Sequence, residues 1–475
     1  MPKGRSRNAS RARASPERGE RPARVAGGTA REQEERGPAG LPPLLARAHL
    51  PLPVLDVLRR LGSAGHRSWL VGGAVRDLLL KRRRVTADFD VATPARPEEV
   101  MRLFPKVIPT GLEHGTVTVM LGGEQVEVTT FRGEGEYLDG RRPSSVTFHK
   151  DLEGDLERRD FTMNAMAFDP VGREFRDPFG GRADMRDRLI RAVGDPGTRF
   201  AEDGLRPLRA MRFAAQLGYV LDRETREAIP GALEVVRKVS AERVCEELSR
   251  LAVAPHAEAA LGLMAATGLL AVVLPELAEA EPAARDHAFA AVGASPPDLA
   301  VRLAALFHVI EPARVRPALV RLRFPNRIAD GVAQLTREQG CVDAGAPAAA
   351  AAAASDVAMR RLLSRLGVEQ AHTLADLWRA DARASSRAHA AAGLLASYLR
   401  RLGRVLEARP PLDAADLVLD GAAVMQQLGL PPGRAVGEAL RHLLDRVLEE
   451  PRLNTRARLV AELTSWWEGR QTGGA

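Results

Sequence analysis

Strand-forming text in this 475-residue chain is confined to roughly its first 190 residues, and that segregation limits the fold more than any other feature. Short β-rich runs, "SWLV", "FDVA", "GTVTVML", "EQVEVTTF" and "REFRD", are separated by Gly and Pro punctuation, with a helical piece "ARPEEVMRLF" among them. After "RFAEDGLRPLRAMRFAAQLGY" the strand signals cease. Apolar residues then recur at helical spacing through "SAERVCEELSRLAV", "AEAALGLMAATGLLAVVL" and "VRLAALFHVI". The pattern predicts an α+β protein: an N-terminal head of mixed β-sheet and helices, followed by an all-α body. No repeat of fixed period is present, so a solenoid is not indicated.

Composition narrows the class of partner. Lys and Arg number 69 against 61 Asp and Glu, a formal net charge of +8, and the basic residues are overwhelmingly arginine, which grips phosphate bidentately. A polyanionic partner is favoured. Residues 1–40 hold few apolar residues and many Arg, Ala, Gly and Glu, and are expected to form a disordered basic tail reaching to about residue 45. Cys245 and Cys341 lie far apart and no secretory leader is recognised, which argues for a reducing cytoplasm and for two small core residues rather than a disulfide. No apolar run reaches the ~18–20 residues of a bilayer span, so no membrane partner is expected.

The stretch "TADFDVAT" (86–93) holds the chemistry. On a strand, successive side chains alternate faces, so Asp88 and Asp90 project together while Phe89 points to the other side. Two carboxylates on one face repel unless a cation sits between them. Upstream, "WLVGGAVRDLLL" reads as a strand, the glycines Gly72 and Gly73, and a helix start, an arrangement whose backbone N–H groups suit a phosphate. Downstream, "VEVTTFR" places Glu127 on another strand, facing away from Val126 and Val128. Three carboxylates on adjacent strands make an oxygen-lined site for Mg²⁺, and the chemistry this suits is phosphoryl or nucleotidyl transfer.

These residues carry a family resemblance. "VGGAVRDLLL…DFDVAT", "GLEHGTVTV", "VEVTTFRGEGEYLDGRRPSSVTF", "DLERRDFTMNAMAFDP", "DPFGGRADMRDRLIRAVGDPGTRFAEDGLRPLRAMRFAAQLGY" and "SAERVCEEL" resemble successive motifs of bacterial CCA-adding tRNA nucleotidyltransferases of the poly(A) polymerase-like class. The resemblance covers about residues 52–250, with a weaker likeness at the C-terminal "LGLPPGRAVGEALRHLLDRVLEEPRLNTRARL". It implies a catalytic head over 50–190, a nucleotide-selecting helical neck over 191–255 and a helical tRNA-binding body and tail over 256–470. It also implies that Asp88 and Asp90 bind the metals, that Glu127 completes the carboxylate set, and that Gly73 and Arg76 contact the incoming nucleoside triphosphate. Arg159 would approach its phosphates or sugar, with Asp160 and Asn164 supporting the ribose. Motif "EDGLR" would supply Asp203 and Arg206, with Arg209 and Arg212 further along the same helix.

Asp203 and Arg206 are spaced i,i+3, which on a helix puts them on one face. Cytosine and adenine both present an exocyclic amino donor beside a ring-nitrogen acceptor, whereas uracil and guanine present a carbonyl beside a ring N–H. A carboxylate accepting from the amino group and a guanidinium donating to the ring nitrogen would thus take C and A without a template. The expected activity is addition of CCA to the tRNA 3′ end from CTP and ATP, with tRNA engaged at its acceptor end and TΨC arm. The alternatives are a poly(A) polymerase or an enzyme adding only A; "EGEYLDGRRPSSVTF" resembles a flexible loop that CC-only enzymes lack. The link "DLLLKRRRVTA" is longer and more basic than the family leads one to expect, and is expected to bear on the tRNA contact. "RLAALFHVI" resembles the start of a His-Asp metallohydrolase segment, but Val309 follows His308 and cannot ligate a metal. The body is therefore expected to carry no metal chemistry, and His308 to be a core histidine.

Overall fold

The structure, a computed structural model, describes residues 40–80, 89–112, 115–131, 151–339, 352–385 and 388–472. Asp88, most of the basic tail, the basic link after Leu80, the segment "EGEYLDGRRPSSVTF", Cys341 and most of the alanine-rich patch lie outside the described residues.

The head is built on a seven-stranded sheet of order β3-β4-β5-β2-β1-β6-β7. Its strands are β1 (Trp69–Val71), β2 (Phe89–Thr93), β3 (Val107–Gly111), β4 (Thr116–Leu121), β5 (Glu124–Thr130), β6 (Ala167–Asp169) and β7 (Glu174–Arg176). The central pair β2 and β5 is parallel, and every other neighbouring pair is antiparallel. Alternation along the strands gives the sheet two unlike faces. Leu70, Phe89, Val91, Val117, Val119, Val126 and Val128 join the main core on one face. Trp69, Val71, Ala92, Phe131 and Ala167 form a smaller cluster on the other, closed by Leu156 from the helix Leu152–Glu157.

From Gly181 onward the elements are almost all helical, apart from the two-residue strands β8 (Leu189–Ile190) and β9 (Val220–Leu221), which pair in parallel. Apolar residues make these helices: Leu205, Leu208, Met211, Ala215 and their neighbours bury Leu205–Leu217 on nearly every side. That helix ends at Gly218, whose φ of +66° makes the left-handed cap that glycine adopts without strain. The main core runs without a break from the sheet through Phe213 and Leu248 to Leu303 and on to Val405. The boundaries expected at 190 and 255 therefore fall inside continuous packing. A separate apolar cluster, Leu417 to Leu463, joins the last helices, Gly421–Leu428, Arg434–Glu449 and Arg456–Thr472.

Candidate active site

The carboxylates sit where the strand order makes them neighbours. In the parallel β2–β5 pair Asp90 stands opposite Glu127, and across β1 it stands opposite Val71. Adjacent strands run ~4.8 Å apart, so the two acidic residues are laid side by side on one face. That face is the one with the smaller core, since Ala92 and Phe131, in phase with Asp90 and Glu127, belong to that cluster. Phe89, Val126 and Val128 are buried on the other face, as alternation requires. Asp88, the other half of the Asp-x-Asp, lies outside the described residues.

Above the carboxylates lies an open cavity of about 310 Å³ lined by Asp90 and Glu127 below and by Arg158, Arg159, Asp160, Asp203, Arg206 and Arg209 above. Four arginines, with Asp160 and Asp203 among them, face the Asp90–Glu127 pair, and such a site suits a polyanion bridged to the sheet by a cation. Gly72, at the end of β1, is what allows the approach. It has φ +70°, and a Cβ there would stand 2.9 Å from Arg159 Nη1 and 3.3 Å from Asp90 Oδ2. Gly73 is the first residue of the helix Gly73–Leu79, one step removed from that squeeze. Arg159 donates to Asp155 from Nη2 at 3.3 Å, its Nη1 is the atom that a Cβ on Gly72 would meet, and its Nε is buried with no hydrogen-bond partner among the described residues.

Asp160 anchors the wall. Its Oδ1 accepts from Asn164 Nδ2 (2.9 Å) and the Phe161 backbone N–H (2.8 Å), and its Oδ2 accepts from Arg209 Nε (2.8 Å) and Nη2 (2.6 Å). Burial alone would raise this carboxyl, but the Arg209 guanidinium and the amide donors outweigh it and hold the pKa at about 2. Arg209 is pushed upward in turn: burial opposes its charge, and Asp160 and Glu247 more than restore it. Arg76 does not reach for the cavity; its guanidinium donates to Asp77 and, from Nη1, to Asn164 Oδ1 at 2.8 Å. Arg212 binds Glu247 and donates to Gln216, and burial pushes it down. The guanidinium carbons of Arg76, Arg209 and Arg212 lie 5.1, 5.6 and 3.9 Å from the Phe213 ring centroid, a face that attracts cations.

Asp203 and Arg206 both line the cavity, but not as two residues of one helix. The helix Pro196–Glu202 ends before Asp203, whose φ of −145° and ψ of +105° are extended, and the next helix starts at Leu205 behind Gly204. The expected helical i,i+3 face is therefore corrected to a hinge between two helices. A Cβ at Gly204 would lie 2.5 Å from the Val235 carbonyl oxygen, so the absence of a side chain is what lets the Val235 backbone pack this close. Asp203 is held bidentately by Arg243, with Nη1 at 3.2 Å and Nη2 at 2.8 Å, and caps Leu205 N. Arg206 donates to the carbonyls of Arg199 (2.8 Å) and Arg158 (2.9 Å) and to Glu202. Each member of the pair is thus oriented by its own partners rather than by the other.

Arg158, Glu202, Arg243 and Glu247 were not singled out by sequence reasoning. Gly72 stood in view as half of the Gly-Gly pair, and Arg243 and Glu247 lie within "SAERVCEEL", read only as a motif. Their partners come from 35 to 40 residues away, so spacing along the chain gave no sign of them.

Residues 68–191 match the family described as Poly A polymerase head domain, and residues 218–281 the one described as Probable RNA and SrmB-binding site of polymerase A. The CCA-adding enzyme of Geobacillus thermodenitrificans is 39% identical over 412 residues, covering 86% of this chain and 95% of that protein. That of Bacillus velezensis is 36% identical over 417 residues, covering 87% and 97%. The crystal structure of the Bacillus stearothermophilus CCA-adding enzyme in complex with CTP aligns with a TM-score of 0.72 at 34% identity, over 89% of this chain and 98% of that one. The likeness extends from the sheet with its paired acids through the neck and into the helical body, and at this identity over nearly the full length of those relatives the chain belongs to the family of CCA-adding enzymes.

Proposed function

We propose that this chain adds C, C and A to the 3′ end of tRNA from CTP and ATP, without a template and with release of pyrophosphate. The observation that carries the reading is the β2–β5 register, which sets Asp90 beside Glu127 beneath a wall of arginines. A divalent metal goes with nucleotidyltransferases of this family, and the hard oxygen donors of Asp90 and Glu127 fit one. Mg²⁺ is the ion proposed, held by Asp90 together with Asp88 and supported by Glu127. Such an ion supplies a lowered pKa for the attacking 3′-hydroxyl and charge for the leaving pyrophosphate.

The protein's own groups do the positioning. Arg159, which lines the cavity, takes the triphosphate, and the close turn at Gly72 leaves room for its guanidinium beside Asp90. Asp160 and Asn164 receive the ribose; the bonds from Arg209 and Arg76 keep Asp160 ionised and fix the amide's orientation. Asp203 accepts from the exocyclic amino group shared by C and A. Arg206 donates to the adjacent ring nitrogen; a guanidinium has five N–H donors, and its bonds to the fold use three. Gly73, Arg76 and Arg212 serve the nucleotide at one remove, Arg76 and Arg212 through the contacts given above.

A second reading, addition of A alone or of a poly(A) run, draws on the match of residues 68–191 to the Poly A polymerase head domain. The experiment that separates them is incubation of tRNA transcripts ending before CCA, after C or after CC with each triphosphate. CTP should extend the first two and ATP only the third, by a single residue. ATP used on all three would favour a poly(A) run, and ATP used on the third with CTP idle on the first two would favour addition of A alone.

A further inference from the structure

The helical body contains a cluster of metal-ligating side chains built from none of the residues of the catalytic cavity. His287 lies in the helix Pro282–Ala294, His308 caps the C-terminus of Leu299–Phe307, and Asp381 is in Val368–Ala384. One ligand atom from each, all three mutually within 4.8 Å, converge on a common point. His287 Nε2 stands 2.6 Å and His308 Nε2 3.3 Å from the same Asp381 oxygen, and the two rings meet edge to face at 5.2 Å.

The protonation of His308 makes this more than a polar contact. Its Nδ1 lies 2.7 Å from the Ala305 carbonyl oxygen, which can only accept, so the ring proton is on Nδ1. In the neutral ring Nε2 is then a bare lone pair. It is buried, in a side chain only 3% exposed, and in the neutral ring it has no donor to turn to among the described residues, while the Asp381 carboxylate oxygen lies 3.3 Å away. Two lone pairs facing each other out of water repel, and the helix C-terminus beside His308 adds further negative potential. A positive species, a proton on Nε2 or a metal ion, belongs between them. Bonds of ~2.0–2.2 Å to N and O in a tetrahedral site put ligand atoms ~3.4 Å apart, close to the His308 spacing, with the His287 contact opening by under 1 Å.

We propose that His287, His308 and Asp381 bind one divalent first-row transition ion, Zn²⁺, Co²⁺ or Ni²⁺, which pins three helices of the body together. Two imidazoles and one carboxylate favour such an ion over Mg²⁺, which prefers oxygen and water. The absence of a His-Asp doublet led to the expectation of no metal chemistry in the body. The carboxylate comes instead from a helix distant in sequence, and His308 is buried as expected but not inert.

The test uses the full chain carrying Asp90→Asn and Glu127→Gln, so that the head's carboxylates contribute little, stripped with chelator and titrated with Co²⁺ and then Zn²⁺. One equivalent of Co²⁺ should bind at micromolar concentration with a visible absorption band, be displaced by Zn²⁺, and raise the melting temperature by several degrees. His287→Gln and Asp381→Asn should each abolish the band. His287 is the partly exposed ligand, so its variant keeps the test valid even if Asp381→Asn fails to fold. No stoichiometric binding, or a band that survives in folded His287→Gln, would overturn the proposal; a proton shared by the three groups would then account for the geometry.

Discussion

Gly72 is the residue at which the site is most sensitive to a single added carbon. With φ at +70° and Arg159 and Asp90 both within contact of a notional Cβ, Gly72→Ala meets backbone strain and a clash together. We expect a loss of about 1–2 kcal/mol in stability and a fall in nucleotide incorporation larger than that, because the displaced atoms belong to the site. Urea unfolding and single-turnover extension measure the two. The carboxylates should behave in the opposite way: Asp90→Asn and Glu127→Gln remove charge where it is held for a cation, so stability changes little while incorporation falls by about a thousandfold or more for Asp90. A filter-binding assay should show tRNA affinity nearly unchanged in both variants.

At the scale of elements, the reading of β2 and β5 from alternation was sound because a half-buried strand writes its two faces into the text. β3 and β6 were not read as strands: "VIPTG" is interrupted by Pro and Gly, and "AFD" is three residues inside a motif dominated by polar side chains. Asp203 was assigned to a helix because Leu205 onward is strongly helical, yet Gly204 breaks the run at a point set by a backbone packed against it from Val235. Tertiary contact of that kind leaves no local periodicity. On the proposed reading Arg243, which holds Asp203 bidentately, supports the selecting carboxylate. Arg243→Ala should leave Asp203 less well oriented and reduce preference for C and A over U and G by a few-fold, whereas Asp203→Ala should cost ~1–3 kcal/mol of discrimination. Extension assays with all four triphosphates compare them.

The clamp between the sheet and the neck, Asp160 with Arg209, has a pH signature. The Asp160 pKa is lowered from 3.8 to about 2, so its contribution is fully present above about pH 4 and is lost as pH falls through about 2. The shift corresponds to roughly 2–3 kcal/mol. Chemical denaturation at pH 5, 4 and 3 should show the stability gap between the protein and Asp160→Asn nearly equal at pH 5 and 4 and clearly smaller at pH 3. A gap independent of pH would mean that Arg209 does not stabilise the charge.

For the whole molecule, charge and continuity of packing matter most. A formal net charge of +8 carried mainly by arginine makes tRNA affinity dependent on counterion release, so binding should weaken at least about tenfold between about 50 and 200 mM salt. Fluorescence anisotropy with labelled tRNA reads this directly, and a flat salt dependence would place recognition elsewhere. The apolar core shared by head, neck and body means that the wall carrying Asp203, Arg206 and Arg209 is fixed relative to the Asp90 strand by packing as well as by ion pairs. The central claim is that this wall admits C and A in turn above the paired carboxylates. The direct measurement is sequencing of the product formed from a tRNA transcript lacking its 3′ CCA, given all four triphosphates. The account predicts the added sequence CCA followed by termination for the native protein and no added nucleotide for Asp90→Asn at matched times; a run of A, a single A on every transcript, or normal CCA addition by Asp90→Asn would contradict it.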